Sequence, residues 1–177
     1  RVDRTLSEAG GLALVDDLQI RIRARIDFYP PSGRLQLIMH GVDPGFTLGR
    51  LAAERERLLR VLSDEALLTA NRANPIPVPP LRIGLVTSVG SAAHADFREE
   101  LARSGFPFTV LEHDARVQGE GAAVDLAEAL HIVATHRPDV IALVRGGGSA
   151  ADLAAFDAEV LARTIATLDV AVVTGIG

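Results

Sequence analysis

The chain has 177 residues with 18 basic against 23 acidic side chains, a formal net charge of −5, which argues against a general nucleic-acid binder because phosphate contacts want a positive surface. All 18 basic residues are arginine and cysteine is absent, so a disulfide-stapled fold and thiol chemistry are excluded. No apolar run reaches the roughly 18 residues of a membrane span, and no basic segment followed by an apolar stretch opens the chain, so the expectation is a cytoplasmic protein with no membrane partner.

The charge is unevenly placed. Residues 1–43 hold six arginines against six acids, 44–80 five against four, and 81–177 seven against thirteen. In the first stretch Ile20, Ile22, Ala24, Ile26 and Phe28 alternate with Gln19, Arg21, Arg23, Arg25 and Asp27, the period of a half-buried strand with an arginine stripe on its polar face. Pro30, Pro31, Ser32 and Gly33 supply a turn, and Leu35, Leu37 and Met39 resume the alternation, so residues 19–40 read as a β-hairpin. A lone hairpin is marginal in water. Strands completing its sheet are therefore expected upstream, and Arg1 reads as an internal residue for want of an initiator methionine.

Leu48, Leu51, Ala52, Leu58, Leu59, Val61 and Leu62 then recur near a helical period, with Arg50, Glu54, Arg55, Glu56 and Arg57 on the wetter face, which predicts a connecting helix. Asn74-Pro75-Ile76-Pro77-Val78-Pro79-Pro80 cannot be helical and predicts a stiff linker. Beyond it strands and helices alternate: strand 83–87, helix 92–104, strand 108–112, helix 122–136, strand 140–144, helix 152–166 and strand 170–174. That rhythm predicts an α/β, doubly wound parallel sheet with helices on both faces.

Ligands bind such sheets at the loops leaving the C-terminal strand ends. Here those loops are Ser88-Val89-Gly90-Ser91, Arg116-Val117-Gln118-Gly119-Glu120-Gly121, Arg145-Gly146-Gly147-Gly148-Ser149 and Gly175-Ile176-Gly177. Glycine lets backbone N–H groups approach a ligand, and a helix starting just after offers its positive end to an anion. A phosphate-bearing substrate fits this edge.

Arg82-Ile83-Gly84-Leu85-Val86-Thr87-Ser88, Ala92-Ala93 with Asp96, Val117-Gln118-Gly119-Glu120-Gly121-Ala122-Ala123, and Arg145-Gly146-Gly147-Gly148-Ser149 with Asp152-Leu153 and Phe156, in that order, resemble the central domain of bacterial exonuclease VII large subunits. Tyr29-Pro30-Pro31-Ser32-Gly33-Arg34-Leu35-Gln36-Leu37 is similar to the last hairpin of the OB-fold preceding that domain. The resemblance implies an OB-fold remnant over 1–43, a connector and linker over 44–80, and a catalytic α/β domain over 81–177. It further implies hydrolysis of single-stranded DNA from both ends, by a large subunit assembled with several copies of a small helical subunit. Ser88-Val89-Gly90-Ser91 departs from the family's Ser-Pro-Thr-Gly-like turn. The family also continues past the position of Gly177 into a histidine, an aspartate and a long helical region that binds the small subunits, so this stretch is expected to hold only part of the catalytic set and to be inactive by itself.

On that resemblance Asp96 and Arg145 are the candidate catalytic residues. Arg145 follows a buried strand and precedes three glycines, where its guanidinium can grip a phosphodiester with two donors; the structural alternative is an arginine paired to Asp96 or Asp152. Asp96 can hold a water, orient Arg145 or help ligate a metal, or simply favour a helix start. Gly146, Gly147, Gly148 and Ser149 offer N–H groups and a hydroxyl to phosphate; Gln118, Gly119 and Glu120 can line the same cleft; Arg21, Arg23 and Arg25 can track a strand's backbone. The five histidines show no ligand spacing, no metal site is complete, and dependence on a divalent cation such as Mg stays open. The rival reading is a non-catalytic module holding a nucleotide or sugar phosphate through Arg145–Ser149.

Overall fold

The structure, a computed structural model, describes residues 19–147 and 153–177; Gly148, Ser149 and Asp152 lie outside them. Its contacts divide the chain into two compact units, with the division at Arg57 and Leu58. No helix among the described residues is long and apolar enough to cross a membrane.

The first unit is built on an antiparallel hairpin of β1 (Arg21–Tyr29) and β2 (Arg34–Asp43). The two strands are joined by a 3-10 turn over Pro30–Ser32. Gly33 closes the turn at φ +64 with its N–H on the Pro30 carbonyl, a left-handed conformation that costs glycine little. Ile26 pairs with Leu37 and Phe28 with Leu35, and a register shift near Arg23 and Ala24 brings Ile22 opposite Val42. His40 is the extra residue, and it keeps Val42 on the apolar face instead of turning it over. Asp43 then accepts the Phe46 N–H at 3.3 Å through Oδ1 and caps α1 (Pro44–Asp64), with proline at the first helical position.

The second unit holds a four-stranded parallel sheet in the order β4-β3-β5-β6, of β3 (Arg82–Thr87), β4 (Thr109–Asp114), β5 (Val140–Arg145) and β6 (Val172–Ile176). Helices α2 (Ala92–Arg103), α3 (Ala122–Thr135) and α4 (Glu159–Thr167) connect or follow them. The central strands are apolar on both sides because both sides are covered. Ile83, Leu85, Val140, Ala142 and Val144 pack with Ala93, Phe97 and Leu101 of α2. Val86, Ile141 and Leu143 pack with Leu126, Leu130 and Val133 of α3 and Leu161 of α4. Leu85, Leu126, Leu130 and Leu143 are fully buried, each worth on the order of 2 kcal/mol. Gly84 permits the tightest approach, since a Cβ there would lie 2.3 Å from Val133 Cγ1.

The expected α/β sheet preceded by a two-stranded β element is therefore present, with most element ends shifted by one or two residues, and two of the differences have a visible cause in packing or bonding. The segment expected as one helix over 152–166 forms a 3-10 turn over Ala154–Asp157 and then α4, with Ala158 extended between them. At roughly 100° per residue a continuous helix would set Phe156 about 140° away from Leu161, whereas the break lets both pack on one core. The last strand starts at Val172 rather than 170, because Asn71 bonds the backbone there: its Nδ2 donates to the Val170 carbonyl at 2.9 Å and its Oδ1 accepts the Val172 N–H at 2.8 Å. The Arg163 guanidinium beside Glu65 holds that carboxyl below its ordinary pKa.

Candidate functional site

Chain direction in the sheet creates the site. From β3 the chain moves to β4 at one edge, then crosses back to β5 on the other side of β3. The loops leaving the C-terminal ends of β3 and β5 therefore diverge, and the space between them is where ligands of doubly wound sheets bind. A cavity of about 400 Å³ occupies that position. Thr87, Ser88 and Ser91 line it from the end of β3, Ala92 and Ala93 from the first turn of α2, Arg116, Val117 and Gln118 from the loop after β4, and Arg145, Gly146 and Gly147 from the end of β5.

Arg145 is 5% exposed, held by β5, and its Nη2 donates to Gln118 Oε1 at 3.2 Å. The strand fixes where the side chain starts and the glutamine fixes one edge of its plane, so the guanidinium is oriented before any ligand arrives. Gly146 lies against α2: a Cβ there would sit 3.4 Å from Ala93 Cβ. A larger side chain would push the β5 loop off the helix N-terminus and open the cleft.

The loop after β3 is tied from below. Val89 N–H donates to Asp114 Oδ1 at 2.8 Å, and Gly90 N–H donates to His94 Nδ1 at 3.1 Å, with Gly90 at φ +86. The His94 Nε2 lies 3.3 Å from Glu112 Oε2, while Arg98 pairs with the other oxygen of that carboxylate. His94 thus belongs to a clamp that shapes the loop. Ser91 caps α2 by accepting the His94 N–H at 3.2 Å.

On the opposite wall, Arg116 donates from Nη1 to the Glu120 carbonyl at 2.9 Å, and its own N–H is taken by Asp125 Oδ2 at 2.6 Å. Gly119 and Gly121 adopt φ +83 and +76, which bends the loop tightly enough for this closure. Among the described residues the cleft lining contains two arginines and no carboxylate. Together with the amide end of a 12-residue helix, this lining offers an anion planar cationic donors on one side and neutral N–H donors on another.

Of the residues expected from sequence, Arg145, Gly146, Gly147 and Gln118 line the cleft together. Gly119 and Glu120 stand behind it in the same loop. Asp96 does not line it: it is exposed on α2, one turn beyond Ala92 on the same helix face. Arg21, Arg23 and Arg25 belong to the other unit, where Arg21 lies 3.6 Å from Asp43 and 4.3 Å over the Phe46 ring, and Arg23 and Arg25 are exposed. Sequence reasoning passed over Arg116 and Thr87; Arg116 could have been found as the basic residue opening the same glycine loop as Gln118. Among the described residues no three His, Cys, Asp or Glu side chains are grouped to hold a metal ion.

A family model described as "Exonuclease VII, large subunit" matches residues 67–177. The chain is 37% identical over 160 residues to a protein of Photobacterium profundum called exodeoxyribonuclease 7 large subunit, covering 90% of this chain and 36% of that protein. Proteins of the same name in Thioalkalivibrio sulfidiphilus and Vibrio campbellii are 38% identical over 163 residues and 36% over 160, covering 92% and 90% of this chain and 36% of each relative. The chain thus spans about a third of the length of these relatives.

Proposed function

We infer the function from the premise that this chain belongs to the exonuclease VII large-subunit family: the protein of which it forms part hydrolyses phosphodiester bonds in single-stranded DNA from the strand ends, in the cytoplasm, in a complex with small helical subunits. The observation that carries this is the cleft at the strand crossover, in which Arg145 and Arg116 face the N-terminus of α2 with no carboxylate among the described lining residues.

The chemistry follows from the lining. The Arg145 fork takes two non-bridging oxygens of the scissile phosphate and counters the charge that grows on them during attack. Gln118 keeps the fork in plane, so little reorganisation is needed at that moment. Gly146 and Gly147 extend the N–H donors around the phosphate, and Gly119 and Glu120 hold the loop that carries Gln118. Asp96, one helical turn from the cleft wall, orients or deprotonates the attacking water. The phosphate grip and the loop support are carried by this chain's own residues, and the assay below with and without a divalent cation such as Mg reads whether a metal takes part. Residues 1–43 serve as the nucleic-acid-binding part, 44–80 as connector, and 81–177 as the catalytic part, with Arg23 and Arg25 on a backbone track.

The test is end-labelled single-stranded and duplex DNA incubated with the full-length protein, with and without its small partner and with and without divalent cation. Progressive shortening of the single strand is expected. Binding of nucleotide without cleavage under every condition refutes the nuclease and leaves the phosphate-binding module.

A further inference from the structure

The roles of Arg145, Gln118 and the glycine loops leave the buried hydroxyl of Thr87 unused. Thr87 ends β3 at 1% exposure, and its Oγ1 has no hydrogen-bond partner among the described residues. Strand alternation fixes its side: Ile83 and Leu85 pack with Ala93, Phe97 and Leu101, and Thr87, two residues further on, shares that side of the sheet, under the first turn of α2. A buried hydroxyl without a partner is a standing cost to the fold, and valine would fill the same volume without it.

Two backbone amides line the same cavity. The first N–H groups of a helix precede any intrahelical bond, and in α2 the neighbouring groups are already engaged. Ser91 Oγ takes the His94 N–H and the Ser91 carbonyl takes the Ala95 N–H at 3.1 Å, while Val89 and Gly90 spend their N–H groups on Asp114 and His94. The Ala92 and Ala93 N–H groups stay available, at the positive end of the helix and in the cleft lining.

We propose that Thr87 Oγ1 and the N–H groups of Ala92 and Ala93 form a subsite for one non-bridging oxygen of the phosphate whose other oxygens face Arg145. This rests on the phosphodiester reading of the cleft. A phosphate oxygen only accepts, so the threonine hydroxyl donates, and the bound anion supplies the partner that the hydroxyl lacks in the free chain. One oxygen is then held by three neutral donors and the others by a cation, an asymmetry that fixes the rotation of the phosphate about its ester bonds.

The experiment compares Thr87→Val and Thr87→Ser in the full-length protein, with a short oligothymidylate as probe and inorganic phosphate as competitor. Thr87→Val is expected to melt no lower than wild type and to bind the oligothymidylate roughly three- to tenfold more weakly, while Thr87→Ser binds as wild type does. Unchanged affinity in a folded Thr87→Val protein overturns the subsite, as does a lower melting temperature with equal weakening in both variants, which marks a side chain needed for packing and not for its hydroxyl. Should Thr87→Val not fold, the amide proton signals of Ala92 and Ala93 decide in the wild type: movement on titration supports the subsite and no movement overturns it. Arg145→Gln is measured alongside. Weak binding by Arg145→Gln with normal binding by Thr87→Val removes the subsite alone, and normal binding by both removes the phosphate reading of the cleft.

Discussion

Replacing Arg145 by lysine keeps the charge and removes the geometry, so it separates the two. At 5% exposure the side chain cannot swing into solvent, and its Nη2 bond to Gln118 Oε1 at 3.2 Å defines the plane in which the fork lies. Lysine offers one compact ammonium where arginine offers two parallel N–H donors, so one of two phosphate contacts goes. If that contact strengthens as charge develops, its loss resembles losing one oxyanion donor, on the order of 10²-fold in the chemical step, or about 2.7 kcal/mol. Affinity for DNA changes little because the charge remains. Loss of the Gln118 bond costs about 1 kcal/mol of stability, roughly 2–8 °C in melting temperature. Single-turnover cleavage and melting are to be measured on one preparation of the full-length enzyme. Near-normal cleavage by a folded but less stable Arg145→Lys enzyme would refute the catalytic role and leave Arg145 as a structural cation.

Two further outcomes are expected. Gly84→Ala places a methyl 2.3 Å from Val133 Cγ1, so α3 must lift from β3 at a cost of about 1–3 kcal/mol; melting temperature should fall, Val133→Ala in the same chain should recover part of the loss, and an unchanged melting temperature would show that the helix yields freely. Replacing Arg23 and Arg25 together by alanine should lower the salt slope of single-strand binding by up to about 1.4, since each phosphate contact contributes about 0.7; Arg21, engaged with Asp43 and Phe46, is left in place, and an unchanged slope assigns the pair to solubility.

What sequence revealed and what it hid divide along local and tertiary lines. The hairpin was legible because Ile22, Ala24, Ile26 and Phe28 alternate with arginines, and the α/β rhythm because each strand is a short apolar run bounded by glycine or proline. The break at Ala158 was not, because residues 153–166 contain no glycine or proline and only the packing of Phe156 beside Leu161 divides them. Within the cleft, Arg145, Gly146, Gly147 and Gln118 announced themselves by standing at strand ends among glycines. Thr87 gave no such signal: an apolar strand ending in threonine is ordinary, and what distinguishes this one is that its hydroxyl lacks a partner among the described residues, a property of the assembled fold. Asp96 is the converse case, conspicuous in the motif and yet exposed outside the cleft lining.

Charge poses the sharper lesson. Residues 81–177 carry seven arginines against thirteen acids, and on that sum alone this stretch should repel DNA. The sum and the placement answer different questions. Of the acids of α2, Glu99 and Glu100 pair with Arg103 on an exposed face; Glu112 is absorbed by His94 and Arg98, and Asp114 and Asp125 are spent on backbone N–H groups. None of them lines the cleft, while two arginines do. A cationic cleft set in an acidic surface focuses attraction for an anion on one place and withholds it elsewhere; under the proposed nuclease function, nonspecific adhesion along the strand is then weak and retention depends on seating a phosphate in the cleft. That is the charge plan wanted by a site that must engage one phosphate at a time and then let go, and it follows from where the β3 and β5 loops end, not from how many charges the chain contains.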